Sequence, residues 1–125
     1  QGASARGAAP MLRFEVRCET AWGESVAVCG AGPLGDWDVA RGLVLKPAAY
    51  PCWAGELAVG PGPLEFKFAL VRPRPDGGPE LVRWEGDGPN RRVELHGNAT
   101  ALVSGEFGRT ERSAVRYTSG AQRGG

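Results

Sequence analysis

No stretch of the sequence stays apolar long enough to cross a bilayer, and no segment resembles a signal peptide. The chain starts at Gln1 rather than Met, so it reads as a processed or excised piece whose own targeting segment would lie outside it. Neither sign of charge is in excess: 15 Lys and Arg are interleaved with 14 Asp and Glu, for a net charge of +1. That balance argues against a phosphate backbone or an anionic bilayer as the main partner, so neither nucleic acid nor a membrane is expected. Cysteine is scarce and odd in number. Cys18, Cys29 and Cys52 cannot all pair within the chain, and their spacing matches no two-plus-two zinc pattern. They read as mostly buried thiols in a reducing compartment, with a Cys18–Cys29 or Cys29–Cys52 bridge left open. The one histidine, His96, has no serine, cysteine or metal-ligand companion and reads as a surface or turn residue. No metal and no cofactor are expected. Helical periodicity longer than a single turn is also missing, which leaves strands as the building material.

What is present is a run of short alternating segments separated by glycine and proline. Over residues 13–18, Phe14, Val16 and Cys18 alternate with Arg13, Glu15 and Arg17, the period-2 pattern of a half-buried strand. Further strands are expected at 25–29, 43–45, 53–59, 64–71, 80–85, 92–95 and 101–107. The cleanest signal is at 64–71, where Leu64, Phe66, Phe68 and Leu70 share one face, so this strand should be central. Residues 72–79 are a turn by composition, closing a hairpin around Asp76-Gly77 that brings Lys67 near Trp84 and Glu85. The fold class is therefore all-β, an immunoglobulin-like antiparallel β-sandwich of seven or eight strands. Residues 1–10 read as a disordered lead-in or linker, 11–107 as the domain, and 108–125 as a flexible tail or linker, because the pattern fades there.

Two motifs are set aside. Gly30-Ala31-Gly32-Pro33-Leu34-Gly35 satisfies the dinucleotide-binding glycine pattern, but no amphipathic helix follows it and the chain has no βαβ unit. Glu24, Asp36, Asp38, Glu85 and Asp87 could supply an acid and a base for glycoside hydrolysis. All five fall in turns or at strand ends, where solvated acids are the default, and so small a sandwich offers little depth to raise a carboxylate pKa. The sequon Asn98-Ala99-Thr100 is treated as chance.

The tryptophans say most. Core packing is the ordinary fate of a tryptophan in a sandwich, yet Trp22 sits in a turn, Trp37 in mid-loop and Trp84 at a strand end. Such positions expose a flat apolar face that matches the C–H face of a pyranose, while neighbouring ammonium, amide and carboxylate groups take the hydroxyls at its edge. Trp53 opens a strand and is the one expected to be partly buried.

In order and spacing, several pieces together resemble the family 20 carbohydrate-binding module, the starch-binding domain. They are the segment from Glu24 to Gly30, Pro33-Leu34-Gly35-Asp36-Trp37, Trp53, Phe66-Lys67-Phe68, Trp84-Glu85 and Asn90-Arg91. The resemblance covers about residue 12 to about residue 107. It implies an immunoglobulin-like sandwich that binds α-1,4-glucans at up to two surface sites and does no chemistry itself. The first site would stack sugars on Trp37 and Trp84, with Lys67, Glu85 and Asn90 supplying hydrogen bonds. The second would use Trp22, Tyr50 and Trp53. Trp22 stands where the family often has tyrosine, and the loop between Tyr50 and Trp53 is shorter than in many members. Arg91 would be structural, and Phe14, Val26, Val28, Phe66 and Phe68 would be core.

The function expected is non-catalytic anchoring of a larger protein to starch or glycogen, with malto-oligosaccharides and β-cyclodextrin as soluble ligands and a monomeric isolated domain. A protein-interaction sandwich, as in a starch-granule scaffold, is the alternative, with a miniature glucan-active enzyme behind it. The free thiols point to an intracellular parent, in a plastid for example, against a secreted one.

Overall fold

The computed structural model describes residues 10–75 and 77–119. The chain forms β1 (Met11–Arg17), β2 (Ser25–Gly30), β3 (Leu43–Val44), β4 (Lys46–Pro47), β5 (Cys52–Ala58) and β6 (Gly62–Arg72), then β7 (Glu80–Trp84), β8 (Arg91–Leu95), β9 (Ala99–Glu106) and β10 (Ser113–Ser119). Two short 3₁₀ turns, Gly32–Leu34 and Val39–Arg41, interrupt the loop between β2 and β3. One sheet has the order β10-β9-β1-β5-β4 and the other β3-β2-β6-β7, with β8 also paired to β6.

The sandwich arises because alternation along each strand gives it one apolar face. In β1, Leu12, Phe14 and Val16 point inward; in β6, Leu64, Phe66, Phe68 and Leu70 do. Phe14 meets Phe66 and Phe68 edge to face, with centroids 5.4 and 6.3 Å away, a geometry aromatic rings prefer over flat stacking. Val26 and Val28 join them from β2, so the expected core residues are the observed ones. β6 is central: it pairs with β2 on residues 66–71, with β7 on 69–72 and with β8 on 62–66. The expected hairpin of β6 and β7 is present; Asp76, placed at its tip, lies outside the described residues.

Three features depart from expectation. β1 and β9 run parallel, Met11 opposite Thr100 through Arg17 opposite Glu106, so the sandwich is not wholly antiparallel. A parallel pair needs a long crossover, and here the connection is most of the domain, which no local pattern reports. β4 adds a two-residue edge segment. Finally, part of the 108–125 stretch read as a tail is β10, paired with β9 from Ser113 opposite Gly105 to Ser119 opposite Ala99. β10 is an edge strand from which Val115 packs against the core while Tyr117, two residues on, is exposed, too little apolar alternation to give a period-2 signal.

A second, smaller apolar cluster lies on the outer face of the β3-β2-β6-β7 sheet. Ala27, Cys29, Ala69 and Val71 are covered there by Val39 from the 30–42 loop, with Trp84 and Val44 at its margin. This cluster fixes the loop to the sheet and so positions the site.

Candidate functional site

Trp37 is held by its backbone. Gly35, Asp36 and Trp37 have φ of 90°, 53° and 67° in succession, a left-handed run that costs roughly 1–2 kcal/mol at each non-glycine residue. Hydrogen bonds fix it: Trp37 N–H donates to the Gly30 carbonyl at 2.8 Å, while Gly35 and Asp36 N–H both donate to the Gly32 carbonyl at 3.1 Å. Asp38 then caps the following turn, its Oδ1 accepting from Ala40 N–H at 3.0 Å and its Oδ2 lying 3.4 Å from Arg41 Nε. Gly35 has no substitute here, because a Cβ would sit 2.7–2.8 Å from the backbone of Arg41 and Asp38. The glycine pattern set aside above is thus a tight turn, and its third glycine opens no helix.

Trp84 ends β7 opposite Ala69 and packs against the second cluster. Its ring centroid is 6.3 Å from that of Trp37, with the planes inclined by 54°. Lys67, two residues before Ala69 on β6, donates from Nζ to the Gly86 carbonyl at 2.8 Å. An open cleft is lined by Trp37, Lys67, Trp84, Gly86 and Asp87. The structure therefore brings together Trp37, Lys67 and Trp84 as expected. It adds Asp87, which sequence reasoning weighed only as a catalytic acid. Asn90 is exposed, its Nδ2 donates to Glu65 Oε1 at 3.1 Å, and it does not line the cleft.

Glu85 is a correction. Expected to bond sugar hydroxyls, and counted among the solvated acids, it is buried with Arg91, both side chains at 0% exposure. Arg91 donates from Nε and Nη2 to the Glu85 carboxylate at 3.0 and 2.8 Å. Phe68 and Gly108 N–H also donate to that carboxylate. The guanidinium lies 4.3 Å over the Phe68 ring and donates to the Glu106 and Arg112 carbonyls and to Ser113 Oγ. With its oxygens so occupied, Glu85 has no acceptor to offer a ligand. It joins the β7–β8 segment to the β9–β10 connection of the opposite sheet, and it fixes Trp84 and Gly86 on either side of it. Arg91 is structural, as expected.

The second expected site is only partly assembled. Trp22 is 99% exposed on a turn where Glu24 N–H donates to the Ala21 carbonyl and Glu24 Oε1 accepts from Ala21 N–H. Tyr50 is exposed, and its hydroxyl accepts from Thr20 N–H at 2.9 Å, tying the two loops together. Trp53, expected to be partly buried, is 4% exposed, with its indole N–H donating to the Cys18 carbonyl at 3.1 Å. It stands opposite Val16 on the inner face of β5, so it presents no stacking face and drops out of this site.

The remaining chemistry is quiet. All three cysteines are free thiols. Burial pushes the Cys18 thiol up to about 11 and raises Cys29 as well, with the Asp38 charge adding to the latter, so both stay protonated at neutral pH. Among the described residues, no three His, Cys, Asp or Glu side chains cluster as a metal site.

The chain is a two-sheet β-sandwich with an open cleft beside a pair of inclined indoles. The starch-binding domain family matches residues 11–104, and the chain belongs to it. It is a glucan-binding module that does no chemistry of its own. Among curated proteins it is 32% identical over 96 residues to an α-amylase of Streptomyces violaceus, an alignment covering 75% of this chain and 16% of that protein. It is 28% identical over 86 residues to a cyclomaltodextrin glucanotransferase of Klebsiella oxytoca, covering 68% of this chain and 12% of that protein. The chain thus spans only a small part of the curated relatives it matches. Among solved structures, the family 20 module of a maltotetraose-forming amylase from Pseudomonas saccharophila superposes with a TM-score of 0.64 at 28% identity, over 78% of this chain and 99% of that one. A glucoamylase from Hypocrea jecorina shares the fold, with a TM-score of 0.65 at 22% identity over 80% of this chain and 17% of that one.

Proposed function

We propose that the Trp37–Trp84 cleft is where the domain holds an α-1,4-glucan chain. The observation that carries this is the pair of indoles at 6.3 Å and 54°, Trp37 on its pinned left-handed backbone and Trp84 packed on the second cluster next to the buried Glu85–Arg91 pair. Two rings inclined in this way follow a curved chain and leave a flat β-1,4 chain in contact with only one of them. Each ring takes the C–H face of one glucose, while Lys67 Nζ and the Asp87 carboxylate stand at the rim to bond hydroxyls. Trp22 and Tyr50 form a second, looser surface. Shallow sites of this kind bind with a Kd of ~10 μM to 1 mM, and two on one granule add through effective concentration.

The domain acts as an anchor that keeps a longer protein on starch or glycogen, with malto-oligosaccharides and β-cyclodextrin competing for the same cleft. Three free thiols suit a reducing compartment and so favour an intracellular parent. The test is co-sedimentation with starch granules. The wild type sediments and is released by β-cyclodextrin, whereas Trp37→Ala stays in the supernatant with its stability changed by about 1 kcal/mol or less. A Trp37→Ala protein that sediments like the wild type contradicts the assignment.

A further inference from the structure

A second pair of inclined rings stands where the proposed function has no use for it. His96 follows β8 and Tyr117 lies in β10, with ring centroids 5.1 Å apart and planes inclined by 50°. Those values stand close to the 6.3 Å and 54° of Trp37 and Trp84. Both rings reach solvent, Tyr117 at 43% exposure. Both are also held. The Tyr117 hydroxyl donates to the Glu94 carbonyl at 2.7 Å, and the His96 carbonyl accepts from Ala99 N–H at 2.9 Å, closing a turn through Gly97 at φ 46°.

The Tyr117 bond crosses from β10 of one sheet to β8 of the other, and sealing that seam is the plainest use for it. A seal accounts for the hydroxyl and the buried side of the phenol. It leaves unexplained an exposed imidazole set beside the ring at an angle that presents two faces. Hydrogen-bonding groups flank the pair: Glu94 is exposed and Asn98 half-buried. The place is separate from the first cleft. Leu95, the residue before His96, pairs with Gly62, whereas Trp84 pairs with Ala69. Seven residues of β6 at about 3.3 Å each set the two pairs roughly 23 Å apart.

We propose that His96 and Tyr117 form a third glucan contact, which takes the C–H faces of one or two glucose units while the polar groups of Glu94 and Asn98 meet their hydroxyls. This rests on the glucan reading of the domain. Contacts at both poles of the sandwich would let one domain touch two chains of a granule at once.

The test is a maltoheptaose titration of the whole chain, followed residue by residue through backbone amide NMR shifts in the wild type and in His96→Ala. Amides 94–99 and 115–118 shift along their own saturation curve, and His96→Ala weakens that curve by about three- to tenfold while the Trp37 and Trp84 curve is unchanged. If Trp37 and Trp84 respond while 94–99 and 115–118 stay still, the third contact is wrong and the glucan reading stands. Shifts at 94–99 that persist unchanged in His96→Ala also overturn it. If no amide responds, the glucan reading fails and takes the third contact with it.

Discussion

Trp37 and Trp22 are both indoles on surface loops, and they differ in what lies beneath them. Trp37 is 39% exposed, on a backbone pinned in the left-handed region, with Trp84 beside it and a buried ion pair next to that neighbour. Trp22 is 99% exposed on a turn whose bonds fix the chain and leave the ring free. A ligand arriving at Trp37 finds the ring already placed. At Trp22 it must order the side chain first, at a cost of about 0.5–1.5 kcal/mol. Exposure alone does not make a strong stacking platform. The packing and hydrogen bonds beneath each ring rank the two surfaces.

The largest test of that ranking attacks the support. Glu85→Ala strands the Arg91 charge in the core and should cost about 3–5 kcal/mol of stability by thermal or urea unfolding, while loosening Trp84 and Gly86. A loss under about 1 kcal/mol would return Glu85 to the surface role the sequence suggested for it. Gly35→Ala comes next. A Cβ 2.7 Å from the Arg41 backbone at φ 90° should cost about 1–3 kcal/mol and weaken the Trp37 cleft, read by calorimetric titration with β-cyclodextrin, without touching Trp22. Smallest is Trp22→Ala, which should leave the melting temperature and the β-cyclodextrin affinity of the cleft unchanged and lower granule binding only about two- to fivefold. Equal losses from Trp22→Ala and Trp37→Ala would erase the distinction between the surfaces.

How much of this the chain announces depends on whether the signal is local. Alternation marks β1 and β6 because Phe14, Phe66 and Phe68 recur every second residue along one face. The Trp37 loop is legible from Gly35-Asp36-Trp37, and the β6–β7 hairpin brings Lys67 to Trp84 by chain folding alone. What the sequence hides is set by partners distant in the chain. β1 and β9 are parallel neighbours joined through almost the whole domain. β10 has too few apolar positions to declare itself. Glu85 looks like any acid at a strand end until the chain crosses from Gly86 to Asn90 and returns Arg91 beneath it. Trp53 carries the opposite lesson, since its place at the start of a strand already argued for the interior.

The ranking of the two surfaces is tested most directly by following the four indole N–H signals of the unmodified chain through a β-cyclodextrin titration. Trp37 and Trp84 should move together and saturate first, Trp22 should move only at higher concentration, and Trp53, bonded to the Cys18 carbonyl, should not move. Saturation of Trp22 ahead of a silent Trp37 and Trp84 would contradict the ranking.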